Sequence, residues 1–343
     1  MKAVLLYEHG GPEVLQYGEF DTPQPGYGEV QIALRAIAMN RLDIWTRNGW
    51  PGIRLQYPHI LGADGAGVVS AVGPGATAVS VGDRVAINPT ISPDPLDENV
   101  LAGRDNMARR GGILGEDSRG TYAEYVVVPQ QNVLKLPEGF PFEEAAAASL
   151  VFITAWHSLI TRGGLRPGET VLIVGAGGGV NTASIQIARL AGATVYVVGS
   201  SDEKLEKAAA LGAHHLINRT REDWSRAVYE MTGRRGVDVV VDNVGAATWE
   251  ASIRALARGG RMLVVGGTSG YEARVGVNYI FRKHISIIGS TMGTHADYRT
   301  VMGLLFEGKL KAIVGDVLPL KEVQAAHRRF ESGDFFGKLV LIP

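Results

Sequence analysis

The sequence predicts a two-domain α/β protein, in which a β-rich domain is joined to a doubly wound parallel sheet. Short strands separated by Gly-Pro and Gly-Asp turns fill the first third of the chain. From Val171 onward, apolar strands alternate with helical stretches. The chain has 343 residues, of which 45% are apolar, and this length suggests two domains with a hydrophobic core each.

The first third of the chain predicts antiparallel strands. The segment EVQIALRAI alternates apolar and polar residues, which is typical of a strand with one buried face. Further short β-rich segments follow, namely GAGVVSAVGPG, GDRVAINP and TYAEYVVVP. Together they predict an all-β domain.

The rest of the chain predicts a parallel sheet covered on both faces. The segment FEEAAAASLVFITAWHSLI is expected to be helical, and strands rich in Val, Ile and Leu follow it: VLIVGAG, TVYVVGS, VDVVVDNVG, RMLVVGG and ISIIGS. The helices predicted between them are TASIQIARLAG, DEKLEKAAALGA and TWEASIRALARGG. A helix from 298 to 307, the strand GDVLPL, the helix EVQAAHRRFES and the strand GKLVLIP complete the chain.

Composition excludes several function classes. Lys and Arg number 34 and Asp and Glu 35, so no basic surface for nucleic acid is expected. The N-terminus lacks a secretory apolar region, and AAAASLVFITAWHSL is interpreted as too short and too polar to span a membrane. The prediction is a cytoplasmic protein without a membrane partner. The chain has no cysteine, which excludes disulfides, thiol catalysis and thiolate metal sites.

The segment VLIVGAGGGVNT predicts a dinucleotide site, because a buried strand ends in glycines and a helix follows. Glycines let a pyrophosphate approach the backbone N–H groups at the helix start, where a Cβ would block it. The residues expected at this turn are Gly175, Gly177, Gly178, Gly179, Val180 and Asn181. Asn181 stands where the last glycine of the fingerprint is expected. Either it caps the helix or its amide faces a phosphate.

The end of the second strand of this sheet predicts the cofactor NADP(H). An acidic residue there would bind the ribose 2′-hydroxyl of NAD, but the chain has Ser200 and Ser201 instead. These hydroxyls, with Lys204 and with Arg219 after the third strand, suit a 2′-phosphate. A structural alternative is a capping box formed by Ser200 and Glu203.

With these motifs in view, the chain resembles the medium-chain dehydrogenase/reductase superfamily over nearly its full length. The segments that carry the resemblance include GGPEVLQ, AMNRLDIWTRNG, PHILGADGAGVVSAVGPG, VGDRV, GTYAEYVVVP, EEAAAASLVFITAWHSL, GETVLIVGAGGGV and FGKLVLIP. The resemblance implies a GroES-like catalytic domain of residues 1–130 and 293–343, and a Rossmann NADP(H)-binding domain of residues 131–292.

Many members of this superfamily hold a catalytic and a structural zinc, but the resemblance implies neither here. Asn40 and Ala63 stand where zinc alcohol dehydrogenases have a cysteine and a histidine. Residues 88–112 resemble the structural-zinc lobe without its thiolates. Prolines and apolar side chains are expected to hold this lobe by packing: Pro93, Pro95, Leu96, Val100, Leu101 and Met107. A different metal site of His59, Asp64 and Asp43 is the alternative.

Without a metal, the protein must either polarise its substrate with hydrogen-bond donors or use a substrate that is already electrophilic, such as a quinone or an α,β-unsaturated carbonyl compound. One or two fixed donors could stabilise the developing negative charge, each worth roughly 2.7–4 kcal/mol in oxyanion holes. By resemblance to zinc-independent quinone and enoyl reductases, Asn40 is the expected donor, Asp43 holds its loop, and Thr154 lies beside the nicotinamide. Other expected cofactor contacts are Asn243, Gly266, Gly267, Ser290, Thr291 and Lys338.

Two other functions stay open at this stage. The chain could be an alcohol or aldehyde dehydrogenase whose hydrogen-bond donors replace zinc, or an NADPH-binding redox sensor without catalysis. The segment YIFRK, Tyr279 to Lys283, has the catalytic Y-x-x-x-K pattern of short-chain reductases, but it is interpreted here as a helix-to-strand link. The resemblance implies a homodimer or homotetramer formed through a sheet edge, which is expected near Ile285 to Gly289 because an unpaired apolar edge strand favours a partner.

Overall fold

A computed structural model describes all residues from 1 to 343. The strands are β1 (Lys2–Leu6), β2 (Leu15–Glu19), β3 (Glu29–Ala38), β4 (Asp64–Val72), β5 (Arg84–Ile87), β6 (Thr90–Ile91), β7 (Gly112–Ile113), β8 (Tyr125–Pro129), β9 (Val133–Lys135), β10 (Thr170–Val174), β11 (Thr194–Gly199), β12 (His215–Asn218), β13 (Val237–Asp242), β14 (Leu256–Val264), β15 (Ser286–Gly289), β16 (Val314–Pro319) and β17 (Lys338–Ile342).

The α-helices are α1 (Arg41–Asn48), α2 (Glu98–Leu101), α3 (Phe142–Trp156), α4 (Gly179–Leu190), α5 (Asp202–Ala210), α6 (Trp224–Met231), α7 (Trp249–Ala255), α8 (Val277–Lys283), α9 (His295–Phe306) and α10 (Val323–Ser332). The chain forms two compact units. The first unit consists of Met1–Ile153 and Thr294–Pro343, and the second of Thr154–Gly293. The sequence placed its domain boundaries at 130/131 and 292/293, whereas the units change within α3 and directly before α9.

The first unit is built on a seven-stranded sheet. Its strand order is β16-β17-β3-β4-β5-β9, and β8 also pairs with β3. All pairs are antiparallel except β16 with β17. The C-terminal strands therefore complete the N-terminal sheet, as the resemblance implied. A core of buried aliphatic side chains, including Ile32, Ile37 and Leu341, fixes the register of these strands.

The second unit contains a six-stranded sheet of order β12-β11-β10-β13-β14-β15, and every strand pair in it is parallel. The central strands are fully buried Val-rich runs, which is expected when helices cover both faces. The predicted α/β class is confirmed. One helix prediction was too long, because α7 ends at Ala255 and Leu256 already pairs with Val237 in the sheet.

The apolar helix that follows Pro141 is longer than the sequence suggested. It continues from α3 as a π-helical turn, His157–Arg162, and its 21 residues have a mean hydropathy of 1.2 in their most apolar window. By length and composition it could cross a membrane, so the earlier interpretation was wrong on this point. Of that window 78% is buried inside the protein, which is typical of a core helix.

Candidate functional site

The predicted cofactor residues of the second unit lie along one edge of its sheet. Parallel strands all end at the same edge, and the strand order reverses between β10 and β13, which is where α/β sheets bind ligands. Lys338 is the one predicted cofactor contact that lies in the first unit. The residues that directly follow strand ends, or lie within three positions of one, are Gly175, Gly177, Ser200, Ser201, Arg219, Asn243, Gly266, Gly267, Ser290 and Thr291.

The turn after β10 fits an anionic ligand. Gly175 has φ +114°, a backbone conformation that favours glycine, and an added Cβ would lie 2.2 Å from the Asn181 side-chain nitrogen. Helix α4 starts at Gly179, and no side chain caps it. The backbone N–H groups of residues 176–181 have no acceptor within the protein. Bare N–H groups at a helix start are the feature that a pyrophosphate requires.

Asn181 is not the helix cap, which was one of the two roles that the sequence suggested for it. The N-cap of α4 is Gly178, so Asn181 is not the cap. Its side chain is buried, donates to the Val174 carbonyl at 3.4 Å and accepts from the Asn243 amide at 2.6 Å. Asn181 therefore ties the end of β10 to the loop after β13, across the point where the strand order reverses.

Asp242 organises the loop after β13, a role that the sequence analysis missed. Its carboxylate is fully buried and accepts the backbone N–H of Val244 and of Gly245. It also accepts the hydroxyls of Thr248 and Ser252, each at 2.7 Å. A buried carboxylate with four donors is fully compensated, so it fixes the loop. An aspartate ending a Val-rich strand, with hydroxyls six and ten residues on, was the available signal.

The end of β11 carries no carboxylate. Ser200 is exposed, and Ser201 rather than Ser200 is the N-cap of α5, so the suggested capping box with Glu203 was wrong. Glu203 instead forms an ion pair with Lys207. The nearest acid, Asp202, is bound by the Asn218 amide at 2.7 Å and by Arg221. Lys204 lies in the first turn of α5. Arg219 directly follows β12 and is exposed.

Two predicted residues near the boundaries of the second unit are buried hydroxyls. The Thr154 hydroxyl donates to the Met292 sulfur at 4.0 Å. The Ser290 hydroxyl has no hydrogen-bond partner in the protein, although the residue is only 8% exposed. Thr291 is exposed. An unsatisfied buried hydroxyl needs an explanation, and a bound ligand is one.

In the first unit, Asn40, Asp64 and Lys338 form a buried polar cluster. The Lys338 ammonium donates to the Asn40 side-chain oxygen at 2.5 Å and to Asp64 Oδ2 at 2.9 Å. The Asn40 amide donates to Asp64 Oδ2 at 2.9 Å and to the Ala38 carbonyl at 3.3 Å. Asp64 Oδ1 accepts the Leu150 N–H. Both the nitrogen and the oxygen of the Asn40 side-chain amide therefore have hydrogen-bond partners within the protein, which the sequence did not predict.

This cluster does not fit a zinc ion. Zinc requires three or four soft or borderline donors around one point. Ala63 offers no donor, and the Asn40 and Asp64 oxygens face a lysine ammonium instead of an open position. His59 lies apart from them, with its Nε2 3.0 Å from the Gly115 carbonyl, and burial lowers its pKa. No three His, Asp or Glu side chains of the chain group into a metal site.

Asp43 lies at one end of a buried hydrogen-bond chain. Its Oδ2 accepts the Asn40 N–H at 2.7 Å and the Tyr122 hydroxyl at 3.0 Å. Tyr122 also lies 3.3 Å from His327 Nε2, and His327 Nδ1 lies 3.0 Å from Arg47. Burial raises the pKa of Asp43 to about 7 and lowers the pKa of His327 to about 3. The Asp43 carboxylate thus contacts the backbone of Asn40 at the start of α1.

The lobe of residues 88–112 is held by polar contacts, not by the predicted apolar packing. Three of its large apolar side chains are exposed, namely Leu96, Leu101 and Met107. Asp105 Oδ2 accepts the His295 N–H at 2.6 Å, and Asp97 accepts the N–H groups of Asn99 and Arg109. The Asn132 amide donates to the carbonyls of residues 88 and 90. Pro93 and Pro95 are exposed as well, so hydrogen bonds hold the lobe, and those of Asn132 are buried.

The YIFRK segment has the role of a link. Its residues 279–283 belong to α8, and β15 follows. The Lys283 ammonium donates to the carbonyls of Arg254 and Leu256, at 3.0 and 2.8 Å, and burial lowers its pKa. Lys283 therefore caps the C-terminal end of α7.

The chain is similar to known dehydrogenases and reductases. A family profile described as "Alcohol dehydrogenase GroES-like domain" matches residues 26–138, and one described as "Zinc-binding dehydrogenase" matches residues 179–307. An "Alcohol dehydrogenase" of Geobacillus stearothermophilus is 34% identical over 99% of both chains. A "Quinone oxidoreductase" of Homo sapiens is 30% identical over 100% of this chain and 98% of the relative.

Among solved structures, a crystal structure of an "NAD-dependent alcohol dehydrogenase" is 46% identical to this chain. It covers 100% of both chains and has a TM-score of 0.95. That structure therefore has the same fold as this chain over its whole length.

Proposed function

The chain belongs to the medium-chain dehydrogenase/reductase superfamily and is an oxidoreductase, and on that premise we propose that it is a zinc-independent reductase that uses NADPH. The proposed substrates are quinones and α,β-unsaturated carbonyl compounds. One observation carries the proposal, which is the position of the Lys338 ammonium between the oxygens of Asn40 and Asp64. These two residues stand at or beside metal-ligand positions of the zinc-containing members.

The proposed chemistry is the one that an enzyme without zinc could perform. The nicotinamide supplies a hydride when it is bound. A simple ketone or aldehyde oxygen needs strong polarisation to accept one, whereas a quinone or enone spreads the negative charge by conjugation. Neutral donors can stabilise that charge in a water-excluded site. The fit of the second unit to a dinucleotide rests on the Gly175 turn and the bare N–H groups of residues 176–181.

The predicted catalytic residues stay proposals with separate tests. Because the Asn40 amide is bound by Asp64 and Ala38, it would donate to a substrate only by giving up one of these bonds. Thr154 keeps its hydroxyl on a weak sulfur acceptor, from which it is easily released. We expect Thr154→Val to lower kcat more than it raises the Kd of NADPH. Unchanged kcat would remove Thr154 from the proposal.

The decisive experiment measures metal content and substrate range together. Purified protein should contain no stoichiometric zinc, and a chelator should leave the rate of quinone reduction by NADPH unchanged. We expect kcat/KM to be higher for a quinone and an enone than for a simple aldehyde. Stoichiometric zinc that is lost together with activity would contradict the proposal. Tight NADPH binding without turnover on any substrate would indicate a redox sensor instead.

An alcohol or aldehyde dehydrogenase is the second candidate. It is favoured by the similarity to relatives named alcohol dehydrogenases, one of them 46% identical. Faster oxidation of a primary alcohol than reduction of any quinone, measured with both oxidised and reduced cofactors, would favour this candidate over the first.

NADP(H) is the proposed cofactor form. The support is the end of β11, where Ser200 is exposed and Asp202 is already bound by Asn218 and Arg221. Exposed Arg219 follows the neighbouring strand β12, and its backbone N–H donates to the Gly199 carbonyl at the end of β11 at 2.9 Å, so it adds a positive charge near this strand end. We expect kcat/KM to be at least tenfold higher for NADPH than for NADH. The Ser200→Asp variant should reverse part of this preference by repelling a 2′-phosphate, with exposed Ser332→Asp as the control. Comparable values for the two cofactors would refute this part of the proposal.

Self-association through β15 is the proposed oligomer contact. β15 is the last strand of its sheet, so one of its edges is unpaired, and Ile287 on it is 39% exposed. On the preceding helix α8, Phe281 is 64% and Val277 69% exposed. We expect a dimer or tetramer by light scattering, and Ile287→Lys should weaken it. A monomer at micromolar concentration would contradict this proposal.

A further inference from the structure

The buried hydrogen-bond chain that begins at Asp43 returns to the same helix. Asp43 and Arg47 are one turn apart on α1, a spacing that allows a direct ion pair, yet no hydrogen bond joins them. Instead, Tyr122 and His327 lie between them, with contacts of 3.0, 3.3 and 3.0 Å along the way. Each of the four residues is at most 1% exposed, so bulk water does not compete for these bonds.

The order of donors in this hydrogen-bond chain is determined by Arg47. A guanidinium only donates, so Nδ1 of His327 accepts its hydrogen bond. A neutral imidazole then carries its proton on Nε2, which donates to the Tyr122 oxygen. The Tyr122 proton is thereby left for Oδ2 of Asp43. Burial lowers the pKa of His327 to about 3, which agrees with a neutral ring.

One end of the hydrogen-bond chain lies at Asn40. The Asp43 oxygen that accepts from Tyr122 also accepts the Asn40 backbone N–H at 2.7 Å. Asn40 directly precedes α1, so the position of its backbone depends on the orientation of this carboxylate. The other end lies at Glu331 of α10, whose carboxylate is 2.5 Å from the Arg47 guanidinium.

We propose that His327 is a positioning residue of the Asn40 loop, because its Nε2–H keeps the Tyr122 proton directed at Asp43. In the reverse order, a proton on Nδ1 would face the Arg47 guanidinium, donor against donor. Tyr122 would then donate to His327, and the Asp43 carboxylate would lose one of its two donors. With a single order of donors, the carboxylate stays where it binds the Asn40 N–H.

Helix α10 contains no predicted site residue, but it contacts both ends of α1. The Arg41 guanidinium, in the first turn of α1, lies 5.1 Å from the centre of the Phe330 ring. Arg47, in the last turn, binds His327 and Glu331. The position of α1, and of the loop before it, therefore depends on α10 whichever substrate the enzyme reduces.

The first test determines the protonation of His327 by nitrogen NMR. The full chain is labelled with ring-15N histidine, and the His327 signals are assigned by their absence from the spectrum of His327→Gln. We expect a neutral ring with its proton on Nε2, without titration between about pH 5 and pH 8. A proton on Nδ1, or a ring that becomes charged in this range, would overturn the proposal.

The second test replaces His327 by side chains that keep or lose its two bonds. Gln has an oxygen that can accept from Arg47 and a nitrogen that can donate to Tyr122, whereas Leu has neither. His327→Leu should lower the melting temperature by about 3–8 °C, and His327→Gln by at most about half as much. The exposed neighbour variant Arg328→Leu is the control and should change little. Equal losses for Gln and Leu would contradict a role of these two bonds.

A third measurement follows the Asn40 backbone itself. Met39–Asn40 is the only Met-Asn pair in the chain, so labelling with 13C-carbonyl Met and 15N Asn gives a single amide signal. A short bond to a carboxylate moves the proton signal downfield. We expect it to move upfield in His327→Leu and to stay near its natural position in His327→Gln and Arg328→Leu. An unmoved signal in His327→Leu would show that His327 does not position this loop.

The effect on catalysis rests on the proposed function. His327→Leu should lower kcat for quinone reduction by about fivefold or more and leave the Kd of NADPH nearly unchanged, because the variant displaces Asn40 and not the cofactor. An unchanged kcat would contradict a positioning role in catalysis. Absence of quinone turnover by the natural chain would refute the proposed function, and the two NMR measurements then decide this inference without it.

Discussion

The Asn243 side-chain amide donates to the side-chain oxygen of Asn181 at 2.6 Å, and this bond joins the end of β10 to the loop after β13, between which the strand order reverses. Fingerprint glycines usually let the helix pack close to the strand at such a turn. In this chain an asparagine stands at that position. Its side-chain amide fills the space beside Gly175 that a Cβ on Gly175 would need.

Gly175→Ala should impair cofactor binding. Alanine at φ +114° is strained, and its Cβ would lie 2.2 Å from the Asn181 nitrogen, so the turn must shift. We expect the Kd of NADPH, measured by fluorescence titration, to rise at least tenfold. Gly303→Ala, in a helix with open space around it, is the control and should bind normally. Normal affinity of Gly175→Ala would mean that this turn does not hold the cofactor.

Asn243→Ala should destabilise the second unit. It leaves the buried Asn181 oxygen without its donor, which costs about 1–3 kcal/mol in the free energy of unfolding. Adding Asn181→Gly should recover part of this loss by removing the orphaned group. Urea unfolding checks both variants, with exposed Asn278→Ala as the control. Equal stability of Asn243→Ala and the natural chain would contradict the importance of this bond.

Asp43 should give the protein a pH-dependent stability near neutrality. Burial raises its pKa to about 7, from the usual 3.8, so the folded state retains a proton that the unfolded state has released. Its contribution to stability therefore falls as the pH rises from about 4 to about 7. Asp43→Asn keeps one oxygen for both donors, Asn40 and Tyr122, and lacks the titration.

The measurement for Asp43 is the difference in unfolding free energy between Asp43→Asn and the natural chain. It should shift in favour of the variant on the order of 1.4 kcal/mol per pH unit within that window, and level off above it. The opposite contribution of His327, whose pKa is lowered to about 3, is common to both proteins and cancels. Exposed Asp21→Asn should show no such trend. A pH-independent difference would refute the raised pKa.

Asp105→Ala should loosen the lobe of residues 88–112. The Asp105 carboxylate accepts the N–H of His295 at 2.6 Å, and the residue is 7% exposed. Its removal breaks the hydrogen bond between the lobe and the start of α9. Limited trypsin digestion should then cleave faster at the exposed Arg104, Arg109 and Arg110. Asp94→Ala, at an exposed position of the same lobe, is the control. Equal cleavage rates for the two variants would show that Asp105 is not an anchor.

Local pattern was sufficient for the elements of the fold. The Val-rich run of β10 and the glycines after it determine a buried strand, a turn and a helix start, because burial and backbone freedom are properties of adjacent residues. The absence of cysteine, which the sequence shows directly, likewise excludes thiolate chemistry. The sequence predicted element boundaries less well where a helix is followed by a strand with no loop between them. This happens at Ala255 and Leu256, where pairing in the sheet overrides helix propensity.

The sequence by itself determined the two architectures and the glycine-rich turn, whose causes are local. Only the tertiary structure decided that Lys338, far along the chain from Asn40 and Asp64, supplies their counter-charge. It also decided that Asn181 binds Asn243 and that Asp242 fixes its loop. Hydrogen bonds and charges act over a few ångströms in space, and strand pairing, not sequence separation, sets those distances.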